Sequence, residues 1–157
     1  MANFLIDEAK QLLIVGDNNK AEALFRHIKK SAASHIVAAA EANYQLGKLA
    51  EDDIRYRDAY QHFDRAAQLA PNNTDYLMAT GAITAKLEEY EKAIGYFEQA
   101  IAVLEKELGS DHPSTKKVVD ILERIKADVL LVMQMQKKNR NAMNALKYFK
   151  DSFMKIF

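Results

Sequence analysis

The side chains that could perform catalytic or metal chemistry lie far apart in this sequence. Its four histidines are His27, His35, His62 and His112, and no two of them have the spacing of a metal-ligand pair. They fall on different predicted helices or loops, where we expect them to be exposed. The chain contains no cysteine, so disulfides and thiolate metal sites are excluded.

The acidic and glycine-containing segments do not indicate a reactive centre either. Glu88-Glu89 and Glu51-Asp52-Asp53 lie at predicted helix ends or turns, where solvation explains paired carboxylates. The segment Gly16–Lys20 lacks the second glycine and the Lys-Ser/Thr pair of a phosphate-binding loop. Asp111-His112 is interpreted as a helix cap and loop, because no further ligand is spaced to join the pair. We therefore expect a protein that is not an enzyme and that needs no metal or cofactor.

Composition predicts the elements that must position any functional side chains. The chain has 157 residues, of which 49% are hydrophobic, with 5 Gly and 2 Pro. Ala, Leu, Lys, Glu and Gln dominate, and these residues favour helices, so the prediction is a single all-α domain or short repeat array. Asp7 and Glu8 interrupt the segment where a signal peptide needs an uncharged core, and no run of about 20 apolar residues is present. We expect a soluble, cytoplasmic protein.

The formal net charge of +0 hides an asymmetry between the two ends of the chain. Residues 1–113 contain 12 Lys/Arg and 18 Asp/Glu, a balance of −6, whereas residues 114–157 contain 10 and 4, a balance of +6. The two parts could attract each other within one molecule or between two molecules. The basic part could equally face an acidic partner.

Five residue types recur at an interval of 34 residues, the difference between positions 47 and 81. The recurring residues are Gly47, Tyr56, Ala59, Phe63 and Ala66, followed by Gly81, Tyr90, Ala93, Phe97 and Ala100. Such a period predicts stacked units, each made of two antiparallel helices. The apolar spacing predicts helix pairs at Phe4–Val15 and Lys20–Ala33, at Ala38–Leu49 and Arg55–Ala70, and at Thr74–Leu87 and Tyr90–Leu108.

Glycine and phenylalanine have a mechanical role in this pattern. Glycine costs about 1 kcal/mol relative to alanine inside a helix, so Gly47 and Gly81 need a structural reason. We expect each to allow close approach of the second helix of its unit, with Phe63 and Phe97 filling the space between the helices. Asn73, after Pro71, is predicted to cap the next helix.

This order of residues resembles the tetratricopeptide repeat (TPR) family. Gly47, Ala59, Phe63, Ala66 and Pro71 match the family's signature positions, and four of the five recur in the next unit. The resemblance implies a right-handed superhelix of antiparallel helix pairs with C-terminal capping helices. It divides the chain into a degenerate repeat (1–36), a repeat (38–73), an extended repeat (74–113) and C-terminal capping or interaction helices (114–157). The alternative for residues 1–36 is an unrelated capping hairpin. The connector LGSDHPST is similar to that of the 42-residue variant in kinesin light chains, with Gly109 ending one helix and Pro113 opening the next.

The C-terminal segment allows more than one interpretation. Two helices with a break near Asn139–Asn141 is the first prediction, and one helix of about 40 residues is the alternative. We expect the part over 115–136 to cap the array. Four interpretations of the helix after Arg140 compete. It folds back as a second cap, pairs with a second molecule, lies on an anionic membrane or docks to another protein. Its predicted interaction residues are Leu146, Phe149, Phe153, Ile156 and Phe157.

The TPR resemblance also implies a peptide-binding groove on the first helices of the units. Its positions correspond here to Glu41, Tyr44, Lys48 and Glu51, to Asp75, Met78 and Ala82, and to Lys117, Asp120 and Arg124. The resemblance implies a non-enzymatic scaffold that binds a peptide or helix of another protein. Because residues 1–113 are acidic, we expect this peptide or helix to be basic or amphipathic. Acidic tails of the kind that chaperones present should bind weakly or not at all. The alternative function is a self-assembling structural or adaptor protein whose basic C-terminal helix mediates oligomerisation or docks to an acidic surface; nucleic-acid binding is not expected, and membrane binding is disfavoured.

Overall fold

The computed structural model describes residues 2–31 and 36–153, and within them the side chains of residues 4–30 and 36–144. This part of the chain contains seven α-helices and no strand. The helices are α1 (Ala2–Ile14), α2 (Asn18–Ser31), α3 (Ile36–Asp52), α4 (Tyr56–Leu69), α5 (Thr74–Lys86), α6 (Tyr90–Leu108) and α7 (Pro113–Phe153). They form two compact units, Met1–Leu122 and Glu123–Phe157.

The first unit is a stack of helix pairs. Each of the helices α1 to α5 packs against the next helix in sequence, and α1 also packs against α3. The first helices of the pairs, α1, α3 and α5, therefore form an inner layer, and α2, α4 and α6 form an outer layer. The predicted all-α stack of antiparallel pairs is confirmed.

The turn between the two helices of a pair has the same hydrogen bonds in all three pairs. Arg55 N donates to Ala50 O at 2.8 Å, and Ile54 N donates to Glu51 O at 2.9 Å. This is the Schellman motif, which ends a helix with one residue in the left-handed region. That residue is Gly16, Ile54 or Glu88, with φ of 80°, 62° and 62°.

The helix starts also follow the sequence prediction. Outer helix α4 begins at Tyr56, one residue after the predicted start, and α6 begins at Tyr90 as predicted. At the start of α5, Asn73 Oδ1 accepts a hydrogen bond of 3.2 Å from Tyr76 N, so Asn73 is the predicted N-cap. Pro113 is the first residue of α7, and Gly109 ends α6 with φ of 92°.

The core explains the recurring glycines. Phe63 is 1% exposed, and a Cβ atom built on Gly47 would lie 2.5 Å from Cδ1 of its ring. A Cβ atom on Gly81 would lie 2.9 Å from Cε2 of Phe97. The predicted close approach of the paired helices at both glycines is confirmed. A second apolar cluster joins the first pair to α3 through Ile6, Ala9, Ala21, Phe25, Ile28, Ala38, Ala42, Leu46 and Leu49.

Helix α7 differs from the first sequence prediction. It is one helix of 41 residues and continues through Asn139–Asn141 without a break. Asparagine costs less than about 1 kcal/mol in a helix interior, and these positions are exposed, so solvated polar residues do not end the helix. The alternative of a single helix of about 40 residues is confirmed.

Burial along α7 follows the division into units. Thr115, Val118 and Leu122 are buried in the first unit, and Thr115 Oγ1 donates to Gly109 O at 2.9 Å. In the second unit the described side chains from residue 130 to 144 are all exposed. Of the predicted interaction residues, Ile156 and Phe157 lie outside the described residues. For Leu146, Phe149 and Phe153 the structure describes only the helical backbone.

Candidate functional site

Glu41 on α3 connects three helices of the inner layer. Its carboxylate accepts from Lys10 Nζ of α1 at 2.7 Å and from Tyr76 Oη of α5 at 2.8 Å. Gln45 Nε2, one turn further along α3, donates to Glu41 Oε1 at 2.9 Å. The surface of α1, α3 and α5 around this carboxylate is called the groove below.

The environment of Glu41 favours a charged carboxylate and a neutral phenol. Burial by itself raises the pKa of Glu41, but hydrogen bonds from Lys10, Gln45 and Tyr76 outweigh it, and the pKa lies below its ordinary value. Burial and the hydrogen bond to Glu41 raise the pKa of Tyr76. The pair is therefore a charge-assisted hydrogen bond at neutral pH.

Tyr44 forms the aromatic centre of the groove. Its half-buried ring lies 4.9 Å from that of Tyr76 and 5.7 Å from that of Phe63, centroid to centroid. Lys48 Nζ lies 5.9 Å from the Tyr44 centroid, a cation–π distance. Burial raises the pKa of the Tyr44 hydroxyl, and the carboxylates of Asp75, Glu41 and Glu51 raise it further. Burial and three carboxylates therefore disfavour a negative charge on this side chain.

A second ion pair crosses between the inner helices where they end. Lys86 Nζ of α5 lies 2.7 Å from Glu51 Oε1 of α3 and 5.4 Å from the centroid of the Tyr56 ring. The hydrogen bond to Glu51 raises the pKa of Lys86. Glu51 and Glu41 thus both form ion pairs with lysines of the same chain, whereas the acidic side chains of Asp7 and Asp75 are exposed.

A cavity of about 310 Å³ opens in the groove beside Glu41. The residues that line it are Ile6, Asp7, Lys10, Val37, Glu41 and Tyr76. Val37 is 80% exposed, and Phe4, one helical turn before Asp7, is 72% exposed. Two apolar side chains, two carboxylates, Lys10 and Tyr76 therefore line this cavity.

The structure brings some of the predicted groove residues together and leaves others apart. Glu41, Tyr44, Lys48 and Glu51 follow one face of α3, and Asp75 acts electrostatically on Tyr44 from α5. Further along α5, Met78 is half-buried and Ala82 is exposed. On α7, Lys117 and Asp120 are exposed in the first unit and Arg124 is exposed in the second.

Sequence analysis missed Asp7, Lys10, Tyr76 and Lys86. The 34-residue period contained a signal for two of them: subtracting 34 from positions 41 and 44 gives Asp7 and Lys10. The first pair departs from the signature, so groove positions were not carried into it. Tyr76 and Lys86 lie 35 positions after Glu41 and Glu51, one residue away from the repeat register.

The histidines are also placed by the structure. His112 Nδ1 accepts from Ser114 N at 3.2 Å, which is a cap contact at the start of α7. His27 is exposed, but His62, beside Asn43, and His112 are both half-buried, so the prediction of exposure was wrong for these two histidines. His35 lies outside the described residues. Among the described residues no group of three His, Cys, Asp or Glu side chains has the geometry of a metal site.

Comparisons with known proteins support the fold. Residues 77–114 match the model of the tetratricopeptide repeat family. The type III secretion translocator chaperone SycD of Yersinia enterocolitica superposes with a TM-score of 0.66 at 15% identity, covering 80% of this chain and 83% of that one. The MamA protein superposes with a TM-score of 0.56 at 20% identity, covering 82% and 71% of the two chains. A search of curated protein sequences finds no significant match. No helix within the described ranges has the length and hydrophobicity to cross a membrane.

Proposed function

We propose that this protein is a non-enzymatic interaction module that binds a peptide or helix of another protein in the groove. The fold is a TPR-like stack of helix pairs, which places three inner helices side by side on one surface. SycD, which shares the fold, is a chaperone of secretion translocators, and this supports a protein as the partner.

The observation that carries the proposal is the cavity beside Glu41. Val37, which lines the cavity, is 80% exposed, so an apolar side chain of a ligand could pack against it and be buried there. Burying a Val, Leu or Met side chain contributes about 1.5–3 kcal/mol, enough to anchor a short segment.

The charges of the groove indicate which residues accompany that apolar anchor. Asp7 lines the cavity, and Asp75 raises the pKa of Tyr44 from the neighbouring helix. Both are exposed, whereas Glu41 and Glu51 are already paired with lysines. We therefore propose a partner segment with an apolar residue next to Lys or Arg.

A peptide library displayed against the full chain tests this proposal. Selected peptides should combine apolar and basic residues. The double variant Asp7→Asn with Asp75→Asn should weaken their binding about thirtyfold, since each of the two lost charge-assisted contacts is worth about 1 kcal/mol. Glu105→Gln with Glu107→Gln, which removes the same charge from exposed positions of α6, is the matched control. Selection of acidic peptides, or equal binding by both double variants, would contradict the proposal.

One observation favours self-assembly or docking through α7 as a second candidate. The part of α7 that lies in the second unit has six large apolar side chains whose exposed fraction is between 37% and 68%: Leu130, Leu131, Val132, Met133, Met135 and Met143. This number of exposed apolar side chains on one helix supports the proposal of an interaction surface there. The surrounding basic residues suit an acidic partner surface.

Sedimentation of the full chain over a range of concentrations tests the second candidate. Self-assembly predicts a dimer or larger species that becomes monomeric when residues 140–157 are deleted or when Leu131→Gln and Met135→Gln are introduced. A full chain that is monomeric at every concentration excludes self-assembly. The cytoplasmic location and the kinesin-light-chain-like connector stay predictions.

A further inference from the structure

A second cavity, of about 350 Å³, lies on the outer layer and has the opposite charge to the groove. The residues that line it are Arg26, Lys29 and Lys30 of α2, Leu46 of α3 and His62 of α4. Helices α2 and α4 both pack on α3, so the cavity occupies the gap between the two outer helices above Leu46. No carboxylate lines it.

The cationic groups converge because of helical spacing. Positions 26, 29 and 30 are related by i,i+3 and i,i+4, so these side chains share one face of α2. Arg26 donates to Glu22 through Nε and Nη2, at 3.0 and 2.6 Å, and keeps further N–H donors on Nη1. Among the described residues, Lys29 and Lys30 form no ion pair.

The ordinary role of Lys29 and Lys30 does not account for this arrangement. Lysines in the last turn of a helix stabilise its dipole, and both residues occupy the last turn of α2. Stabilising the helix dipole requires neither a cavity beside the lysines nor a histidine of another helix that lines the same cavity. Three basic residues and His62 around one opening are instead suited to an anion with several oxygen atoms.

His62 adds a proton-linked group to the cavity. Asn43 Nδ2 donates to Ala39 O at 2.7 Å, so Asn43 Oδ1 is the atom 3.4 Å from His62 Nδ1, and Nδ1 carries the proton. Burial lowers the pKa of His62, as do Lys29, Arg26 and Arg55, while Asp58 raises it. The imidazole is therefore neutral at pH 7, and a negative charge in the cavity would favour its protonation at Nε2.

We propose that this cavity binds an oxyanion of the phosphate class, contacted by Lys29, Lys30 and Arg26, with His62 protonated in the complex. A water molecule takes up about 30 Å³ in the liquid, so the cavity has room for a phosphoryl group and part of the molecule that carries it. Because the site is on the outer layer, it is independent of the peptide groove.

Sulfate is the first probe, because it stays a dianion between about pH 5 and 8, where only the protein titrates. NMR of the full chain should show saturable changes in the His62 ring signals, assigned with His62→Gln. Binding should tighten as the pH falls through the range where His62 takes up its proton, and His62→Gln should lose this dependence while its circular dichroism spectrum stays helical.

Two double variants decide whether sulfate binds in this cavity or is attracted by positive charge anywhere on the protein. Lys29→Gln with Lys30→Gln should weaken sulfate binding about tenfold or more, as expected for two lost charge-assisted contacts. Lys137→Gln with Lys138→Gln removes the same charge from adjacent exposed residues of α7 and should leave binding almost unchanged. Equal weakening by both variants, or His62 signals that sulfate does not move, would overturn the proposal.

Inorganic phosphate and O-phosphoserine then identify the source of the anion. Tighter binding of inorganic phosphate indicates a free ion, and tighter binding of O-phosphoserine indicates a phosphorylated side chain. Either result supports the site if it depends on Lys29 and Lys30, whereas binding of neither overturns it.

Discussion

Tyr76 Oη and Glu41 Oε2 lie 2.8 Å apart although 35 residues separate them in the sequence. The same separation joins Lys86 to Glu51 at 2.7 Å. Both contacts cross from α3 to α5, so the inner helices of successive pairs are joined by polar contacts on the surface where a ligand would lie. We therefore expect groove residues to contribute to stability as well as to the proposed recognition.

Glu41→Gln is expected to lower the free energy of unfolding by about 1 kcal/mol at pH 7, because a partly buried charge pair with Lys10 is lost. The folded-state pKa of Glu41 lies below its usual 4.5, so the unfolded chain binds the proton more tightly. This stabilisation is complete above pH 4.5 and is lost as the pH falls toward the folded pKa. Urea denaturation of both proteins across this range measures the difference.

The control for this prediction is Glu107→Gln, which neutralises an exposed carboxylate on α6. Its stability should stay within about 0.5 kcal/mol of the original protein. A Glu41→Gln deficit that persists unchanged at low pH would show that the charge of Glu41 does not stabilise the fold.

Gly47→Ala is expected to destabilise the protein by about 1–3 kcal/mol, as overpacking in a core usually does. The new Cβ atom would lie 2.5 Å from the buried Phe63 ring, which outweighs the gain of about 1 kcal/mol in helix propensity. Gly81→Ala should cost less, since its Cβ atom would lie 2.9 Å from Phe97. Thermal or urea denaturation gives both values.

Gly95→Ala is the matched control, because Gly95 lies inside α6 and a Cβ atom there meets nothing within 4 Å. This change should stabilise the protein by about 0.5–1 kcal/mol. If all three substitutions stabilise equally, the close approach of the paired helices is not what selects glycine at positions 47 and 81.

Lys29→Gln is expected to raise the pKa of His62, because it removes a positive charge that opposes protonation of the ring. Burial, the larger cause, stays in place, so the pKa should remain below the ordinary 6.5. An NMR titration of the His62 ring measures the shift, and Lys137→Gln should leave it unmoved.

The same group makes stability depend on pH. Since the folded pKa of His62 is below the unfolded value of 6.5, the unfolded chain binds more protons between the two, and stability falls as the pH decreases through this interval. His62→Gln should remove that part of the pH dependence. An unchanged stability profile in this variant would mean that the imidazole is not held neutral by the fold.

Ile54→Gly is expected to stabilise the protein by about 1 kcal/mol. Ile54 has φ of 62° and is 72% exposed, so a β-branched residue occupies the left-handed region without burying its side chain. Glycine removes that strain, of about 1–3 kcal/mol, but it loses more backbone entropy on folding, which cancels part of the gain in stability. Glu88→Gly, at the equivalent turn, should gain less because glutamate is not β-branched; a loss of stability in Ile54→Gly would contradict the argument.

Residues with a packing role could be predicted from the sequence, because their size requirement repeats every 34 residues. Gly47 with Phe63, and the helix starts at Tyr56 and Tyr90, follow from that period. The contacts of Glu41 with Lys10 and Tyr76 could not be predicted, since long polar side chains reach across helices with no fixed period. The basic cavity was missed for a similar reason: Lys29 and His62 belong to different helix pairs, and nothing in the sequence places them side by side.

The left-handed turn shared by Gly16, Ile54 and Glu88 has a consequence for engineering. Because the backbone, and not the residue type, is what these three junctions have in common, residues 56–89 form a cassette with matching ends: Glu89 precedes Tyr90 as Arg55 precedes Tyr56. A chain carrying that cassette twice would join Glu89 to Tyr56, a junction equivalent to the two that exist, and would pair α5 with a second copy of α4. We expect the array to be extendable in this way, so that the length of the surface it offers becomes a design variable.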